Sequence, residues 1–104
     1  MQEESITTRG DVVIRRLILE PGEALPWHTD ACHRFSVVIR GDDLTIEFRE
    51  SGERVRVPVR PGMTGWDAPE PRVHRAVNTG AMPYEEVVMF FLESPGVTPQ
   101  PRHP

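Results

Sequence analysis

The sequence predicts an all-β domain of about eight short strands, arranged as a sandwich or barrel, with little or no helix. Short runs rich in β-branched residues alternate with turn signals that contain glycine or proline. No stretch shows a sustained helical period, and the frequent glycine and proline residues leave little room for a long helix. Strands of this length at this spacing are typical of β-sandwiches and barrels.

Five long runs and three shorter ones make up the predicted strands. The long runs are residues 12–19, 35–40, 44–49, 54–59 and 86–92, and the shorter ones are residues 25–29, 64–68 and 73–77. Leu44, Ile46 and Phe48 alternate with polar residues, so this strand is predicted to face water on one side. Residues 87–92 are apolar on both faces, and the second face needs a cover. A homodimer partner is the expected cover, with the terminal segments as the alternative.

The chain of 104 residues fits one domain. Residues 11–94 are predicted to form the barrel, preceded by an N-terminal arm in residues 1–10. Residues 95–104 are rich in proline and are predicted to be an extended arm or a disordered end.

Composition excludes several classes of function. The net charge of −4, without a basic block, argues against a nucleic-acid partner. No apolar run approaches the roughly 20 residues that span a bilayer. The acidic, polar N-terminus is unlike a secretory signal, so a cytoplasmic location is expected. The chain has no lysine, which excludes Schiff-base catalysis, and with Cys32 as its single cysteine any metal site must use imidazole and carboxylate.

His28, Asp30 and His74 are the candidate site residues. Because strand residues i and i+2 share a face, His28 and Asp30 project together. A buried pair of this kind needs partners or a metal, although a hydrogen bond between the two would also satisfy it. His74 lies beside the small Ala76 in another predicted strand, and with it the set becomes two imidazoles and one carboxylate. That donor set is typical of the facial triad of non-haem Fe(II).

Two segments resemble the motifs of a known family. Residues 22–30, followed by Arg34 and Gly41, resemble the first cupin motif, in which a glycine, His-x-His, a glutamate and a second glycine occur at set spacings. Residues 69–78, preceded by Gly65, are similar to the second motif, which ends in Pro-x-Gly-x-x-His-x-x-x-Asn, with Pro71 in place of its glycine. The resemblance covers nearly all of residues 11–92 and implies a cupin double-stranded β-helix, the RmlC-like jelly-roll barrel.

The first motif departs from the metal-binding pattern at two positions. Metal-binding cupins use three histidines and one glutamate, and His28 and His74 match the first and last histidine. Asp30 stands in place of the second histidine and remains a candidate ligand. Arg34 stands in place of the glutamate and cannot bind a metal, because its guanidinium is always protonated. His33 is adjacent, but strand alternation turns it away from the pocket unless the strand begins with a bulge.

Arg34, Ser36 and Trp66 are the candidate substrate-binding residues. Arg34 either forms an ion pair with Asp30 or binds a substrate carboxylate or phosphate through its planar fork. Ser36 projects on the same face as Arg34, where it would donate a hydrogen bond to a ligand or simply fill the core. Trp66 is either a residue of ordinary packing, which is the default interpretation, or a substrate-binding residue that flanks the barrel mouth.

Three functions are compatible with a small-molecule site of this kind. The resemblance implies a metal-dependent dioxygenase, isomerase or lyase, with Fe, Mn, Ni or Zn held by His28, Asp30 and His74. Arg34 would favour a small anionic organic substrate, and a carboxylate or a sugar is the expected ligand. The second function is a metal-free ligand-binding or sensor barrel. The third is an epimerase-like enzyme in which His28, oriented by Asp30, acts as acid and base.

Overall fold

The computed structural model describes residues 1–92, which form nine strands joined by turns and contain no helix. Accordingly, these residues include no helix that is long and apolar enough to cross a membrane. The predicted proline-rich tail, residues 95–104, lies outside the described residues. The strands are β1 (Gln2–Arg9), β2 (Val12–Leu19), β3 (His28–Asp30), β4 (His33–Arg40), β5 (Asp43–Phe48), β6 (Arg54–Pro58), β7 (Thr64–Asp67), β8 (Glu70–Asn78) and β9 (Tyr84–Phe91).

The strands form two antiparallel sheets. The five-stranded sheet has the order β1-β2-β9-β4-β7, and the four-stranded sheet has the order β3-β8-β5-β6. From β2 onward the chain crosses repeatedly between the two sheets, which is the winding of a jelly roll. The predicted all-β fold is therefore confirmed.

Side chains from both sheets meet in one buried cluster. Leu17 and Leu19 of β2 pack with Val38 of β4, Leu44 of β5 and Tyr84 of β9. The two leucines of β2 are almost fully buried, and burial of each contributes about 2 kcal/mol. A second cluster is built largely from the five-stranded sheet. Its members are Val13, Cys32, Val88, Phe90 and Leu92.

β1 is the ninth strand, and it lies in the segment predicted to be an arm. It runs antiparallel to β2, with Gln2 opposite Ile18 and Arg9 opposite Val12. Seven of its eight residues are exposed, so the sequence has no apolar pattern to mark it as a strand. Main-chain hydrogen bonds to β2 hold it in place instead. The segment thus extends the five-stranded sheet by one edge strand.

Gly41, the last glycine of the first motif, shapes the turn after β4. Its φ of +143° is unfavourable for residues with a side chain. A Cβ atom at this position would lie only 2.8 Å from Cδ1 of Tyr84. Backbone conformation and the neighbouring ring therefore both require glycine here, and the close approach lets Tyr84 enter the core.

Candidate functional site

His28 and His74 face each other across neighbouring strands. In the antiparallel pairing of β3 with β8, His28 lies directly opposite His74, and their ring centroids are 4.6 Å apart. Asp30 follows two residues later on the same face of β3, as strand alternation predicts. All three side chains are buried, and one ligand atom from each lies within 4.8 Å of the others. The structure therefore brings the two imidazoles and the carboxylate together.

Backbone carbonyls orient both imidazoles. Nδ1 of His28 is 2.7 Å from the carbonyl oxygen of Pro26, and Nδ1 of His74 is 2.7 Å from that of Arg72. Because a carbonyl oxygen only accepts, each Nδ1 carries a proton and donates it. Each Nε2 therefore faces the carboxylate of Asp30, at 2.8 Å for His74 and 3.6 Å for His28. Metal-ligating histidines are commonly oriented through their other ring nitrogen in this way.

Asp30 carries the negative charge of this group. Burial raises the pKa of Asp30, but hydrogen bonds to His28 and His74 and the charge of Arg34 outweigh it, so the pKa lies well below its ordinary value. The hydrogen bond to Asp30 raises the pKa of His74, because the imidazolium form donates to the carboxylate. Asp30 therefore lies closer to His74 than to His28. The acid–base alternative pairs Asp30 with His28 instead.

Arg34 lies on β4 beside this group, with only 16% of its side chain exposed. Its Nη1 is 3.2 Å from Oδ2 of Asp30, so the predicted ion pair is present. Its Nη2 is 3.5 Å from the carbonyl oxygen of Ala68, while its Nε is buried and has no hydrogen-bond partner in residues 1–92. A buried, unpaired N–H is unfavourable, and a ligand oxygen that reached it would stabilise it.

A cavity of about 300 Å³ opens beside the group and is lined by His28, His74 and Arg34. Ser36 of β4 and Gly65 of β7 also line it, and these two residues lie directly opposite each other. Most of the remaining wall is apolar, so the cavity suits a small organic molecule with a polar end. The apolar wall includes Leu25, Leu44, Ile46, Val57, Val59 and Met63.

Trp66 lies on the outer surface and not in the cavity wall. The alternation of β7 turns Gly65 and Asp67 toward the cavity and turns Trp66 outward, where it is 73% exposed. Its ring stacks on Phe91 at a centroid distance of 5.6 Å and contacts Phe35 at 4.7 Å. Trp66 therefore does not line this cavity, and Asp67 takes the inward position instead. On β4, in contrast, His33 is exposed, as alternation predicts.

Tyr84 and Glu86 of β9 also line the cavity, and the sequence analysis does not identify them. Tyr84 Oη donates a hydrogen bond of 2.7 Å to Oε2 of Glu86. Burial, followed by the negative charge of Glu86, raises the pKa of Tyr84 far above its ordinary value, so the phenol keeps its proton. The two-residue period through Tyr84, Glu86 and Val88 could have placed both residues on the inner face, but the apolar run in this strand obscures that period.

The donor set fits a divalent metal ion. Two imidazoles and one carboxylate are a known ligand set for transition metals, and His28, Asp30 and His74 supply it at mutual distances within 4.8 Å. The 2.8 Å contact between Nε2 of His74 and Oδ2 of Asp30 needs a proton or a cation between the two lone pairs. A metal ion held by these three residues would replace that proton, while Arg34 would remain as a second positive charge on Asp30.

Comparisons with known proteins identify only structural relatives. No protein-family model and no curated protein matches the sequence. A cupin domain from Bordetella pertussis Tohama I is 18% identical with a TM-score of 0.75, over 86% of this chain and 91% of that one. A conserved protein with a double-stranded β-helix domain from Klebsiella pneumoniae is 19% identical with a TM-score of 0.68, over 96% and 84%. A structure of DMSP lyases is 18% identical with a TM-score of 0.59, over 86% of this chain and 43% of that one.

Identities this low establish a shared architecture and not a shared activity. The two sheets, their crossovers and the position of His28 opposite His74 agree with the two motifs found in the sequence. The chain therefore has the cupin fold, an RmlC-like double-stranded β-helix.

Proposed function

We propose that the protein is a metal-dependent enzyme of the dioxygenase, isomerase or lyase class that acts on a small anionic organic substrate. The observation that carries the proposal is the convergence of His28, Asp30 and His74, whose ligand atoms lie within 4.8 Å of one another. A bound ion would supply Lewis-acid or redox chemistry at the end of the cavity.

Residues of the cavity wall would bind and orient the substrate. Arg34 would bind a carboxylate, because it lines the cavity and its planar guanidinium suits bidentate recognition. Ser36 follows on the same face of β4 and would donate a hydrogen bond to the same ligand. The apolar wall would exclude water, which strengthens these charged contacts.

The metal site is tested by dialysis against Fe(II), Mn(II), Ni(II) or Zn(II) followed by elemental analysis. The wild type is expected to bind about one equivalent of at least one ion and to gain thermal stability, because the ion binds only the folded state. His74→Ala removes one of three donors and is expected to abolish both effects. His33→Ala is the matched control, because His33 is exposed and points away from the site. Equal metal content in the wild type and in His74→Ala would contradict the proposal.

A metal-free ligand-binding barrel is the second candidate, and the ion pair between Arg34 and Asp30 favours it. Their 3.2 Å contact neutralises the carboxylate without a metal. The discriminating measurement is the thermal shift caused by organic acids and sugars in the presence of a chelator. A shift that needs Arg34 but no metal would support this function over the enzyme.

We also propose that one face of the five-stranded sheet binds a second copy of the chain. The strands of this sheet place apolar side chains on the outer surface, and among them Trp66 is 73% and Ile39 is 45% exposed. Beside this face, the partly exposed Arg40 forms an ion pair with the buried Glu85. An aromatic centre with a charged rim is typical of homodimer interfaces, and a two-fold axis brings such a patch against itself. The outer apolar face consists of Phe35, Ile39, Trp66, Met89 and Phe91.

Light scattering at micromolar protein concentration tests the dimer. The wild type is expected to have the mass of two chains, whereas Trp66→Glu is expected to have the mass of one, because a buried carboxylate without a partner is unfavourable. Arg54→Glu is the control, because Arg54 is an exposed residue of the four-stranded sheet. A monomeric wild type would contradict the proposal, and something other than a second copy would then have to cover this face.

A further inference from the structure

The cavity wall carries more negative than positive side chains. Apart from the histidines, the charged residues of residues 1–92 that line it are Arg34, Asp67 and Glu86. Asp30, which pairs with Arg34 at 3.2 Å, adds a further negative charge behind this wall. A ligand with no charge except a carboxylate would therefore meet an excess of like charge. The wall instead favours a ligand that carries a positive group in addition to its carboxylate.

Arg34 and Asp67 lie next to each other on this wall. They are directly opposite in the pairing of β4 with β7, and residues in such positions have Cβ atoms roughly 5 Å apart. Nη2 of Arg34 is 3.5 Å from the carbonyl oxygen of Ala68, so the guanidinium lies at the end of β7 that carries Asp67. Arg34 forms its ion pair with Asp30 and not with Asp67. A ligand can therefore contact a positive and a negative group that are close together.

The carboxylate of Asp67 is available to a ligand. Asp67 is exposed, and within residues 1–92 its side chain forms no hydrogen bond or ion pair. A carboxylate has about four acceptor positions, which suit an ammonium group with its three N–H donors. The charge of Asp67 also acts inside the cavity: burial is the main cause of the raised pKa of Tyr84, and Asp67 contributes to it. Asp67 thus reaches both solvent and the cavity interior.

The remaining wall leaves room for an apolar group. Gly65 and Ser36 are the next inward residues of β7 and β4 and lie opposite each other. A Cβ added to Gly65 would meet nothing closer than Oγ of Ser36 at 3.9 Å, so this part of the wall is open. Ile46, Val57 and Met63 also line the cavity and have apolar side chains. An apolar part of the ligand therefore fits beyond the two charged residues.

We propose that Asp67 is a specificity-determining residue, which binds the ammonium group of a ligand whose carboxylate is held by Arg34. Because the two residues are neighbours across the strands, the ligand class is an α-amino acid, in which one carbon carries both charged groups. Its side chain is apolar and occupies the rest of the cavity. This inference rests on the proposed binding of a carboxylate by Arg34 and adds the residue that recognises the positive group.

Isothermal titration calorimetry with three matched probes tests the inference. The probes are leucine, 4-methylpentanoate, which lacks the amino group, and 3-methylbutylamine, which lacks the carboxylate. A chelator is present, because an amino group could also bind a metal ion. The wild type is expected to bind leucine about fivefold or more tightly than either of the other probes. In Asp67→Asn the preference for leucine over 4-methylpentanoate is expected to disappear, while the affinity for 4-methylpentanoate does not fall.

Asp11→Asn is the matched control, because Asp11 is exposed and does not line the cavity. It is expected to keep the wild-type preference. The inference is overturned if leucine binds the wild type no more tightly than 4-methylpentanoate or 3-methylbutylamine, if none of the probes binds, or if the preference survives in Asp67→Asn. Failure of the proposed enzymatic function would show separately, as the absence of metal binding after dialysis of the wild type.

Discussion

Replacing Asn78 with alanine is expected to lower the free energy of unfolding by about 3 kcal/mol. Asn78 is 1% exposed. Its Nδ2 donates to the carbonyl oxygens of Leu19 and Met82, each at 2.9 Å, and its Oδ1 accepts from the N–H of Gly80 at 2.9 Å. Alanine would leave these three main-chain groups without the side chain that pairs them. The last residue of the second motif therefore has a structural role, holding the turn after β8 against the end of β2.

Urea unfolding followed by circular dichroism measures this loss. Thr8→Ala is a suitable control, because Thr8 is an exposed residue of β1, and its substitution is expected to change stability by no more than about 0.5 kcal/mol. A loss below about 1 kcal/mol in Asn78→Ala would show that water satisfies the turn equally well.

Asp30→Asn is expected to lower the free energy of unfolding of the metal-free protein by about 3 kcal/mol. Asparagine keeps the shape of the side chain but removes the charge that pairs with Arg34 and His74. Arg34 is only 16% exposed, so its charge would remain in the cavity without a counter-ion. Removing one partner of a buried ion pair is strongly destabilising because the other charge stays desolvated.

A double-mutant cycle with Arg34→Met tests this reason. Methionine keeps much of the apolar stem of arginine and removes the charge. In the Asp30→Asn background, Arg34→Met is expected to recover about 1 to 3 kcal/mol, since the uncompensated cation is gone. The cycle is measured by urea unfolding at neutral pH with a chelator. Strictly additive effects of the two substitutions would contradict a coupled ion pair.

Local spacing predicted which side chains of each motif share a strand face. The two-residue period of a strand depends only on the backbone, so His28 and Asp30 were placed together, and His33 was placed outside, without knowledge of the fold. The pairing of β3 with β8 does not follow from local spacing, because it joins residues that are far apart along the chain. Asp30 and His74 are 44 positions apart, and only the resemblance to the cupin motifs gave a reason to expect that they meet.

The same local rule was insufficient where strand boundaries or inward faces were ambiguous. The sequence leaves open whether Trp66 flanks the barrel mouth or packs elsewhere, and the strand pairing that puts Asp67 opposite Arg34 turns Trp66 outward. The sequence places Glu86 at the beginning of an apolar strand, which gives no sign of its contact with Tyr84. The polar sequence of β1 shows no alternating apolar pattern, because main-chain hydrogen bonds to β2, and not side-chain burial, stabilise this strand.

The amino-acid sequence is sufficient to predict an all-β chain, the positions of most strands and turns, and the donor types that any metal site must use. Those properties follow from backbone alternation, from turn residues and from which side chains are present. The packing of the two sheets makes Asp30 bond to His74 more closely than to His28 and brings Arg34 against the same carboxylate. It also brings Tyr84 and Glu86 to the cavity wall. These contacts could not be predicted from the sequence, because they depend on strand register and sheet packing, which are set by the whole core and not by neighbours along the chain.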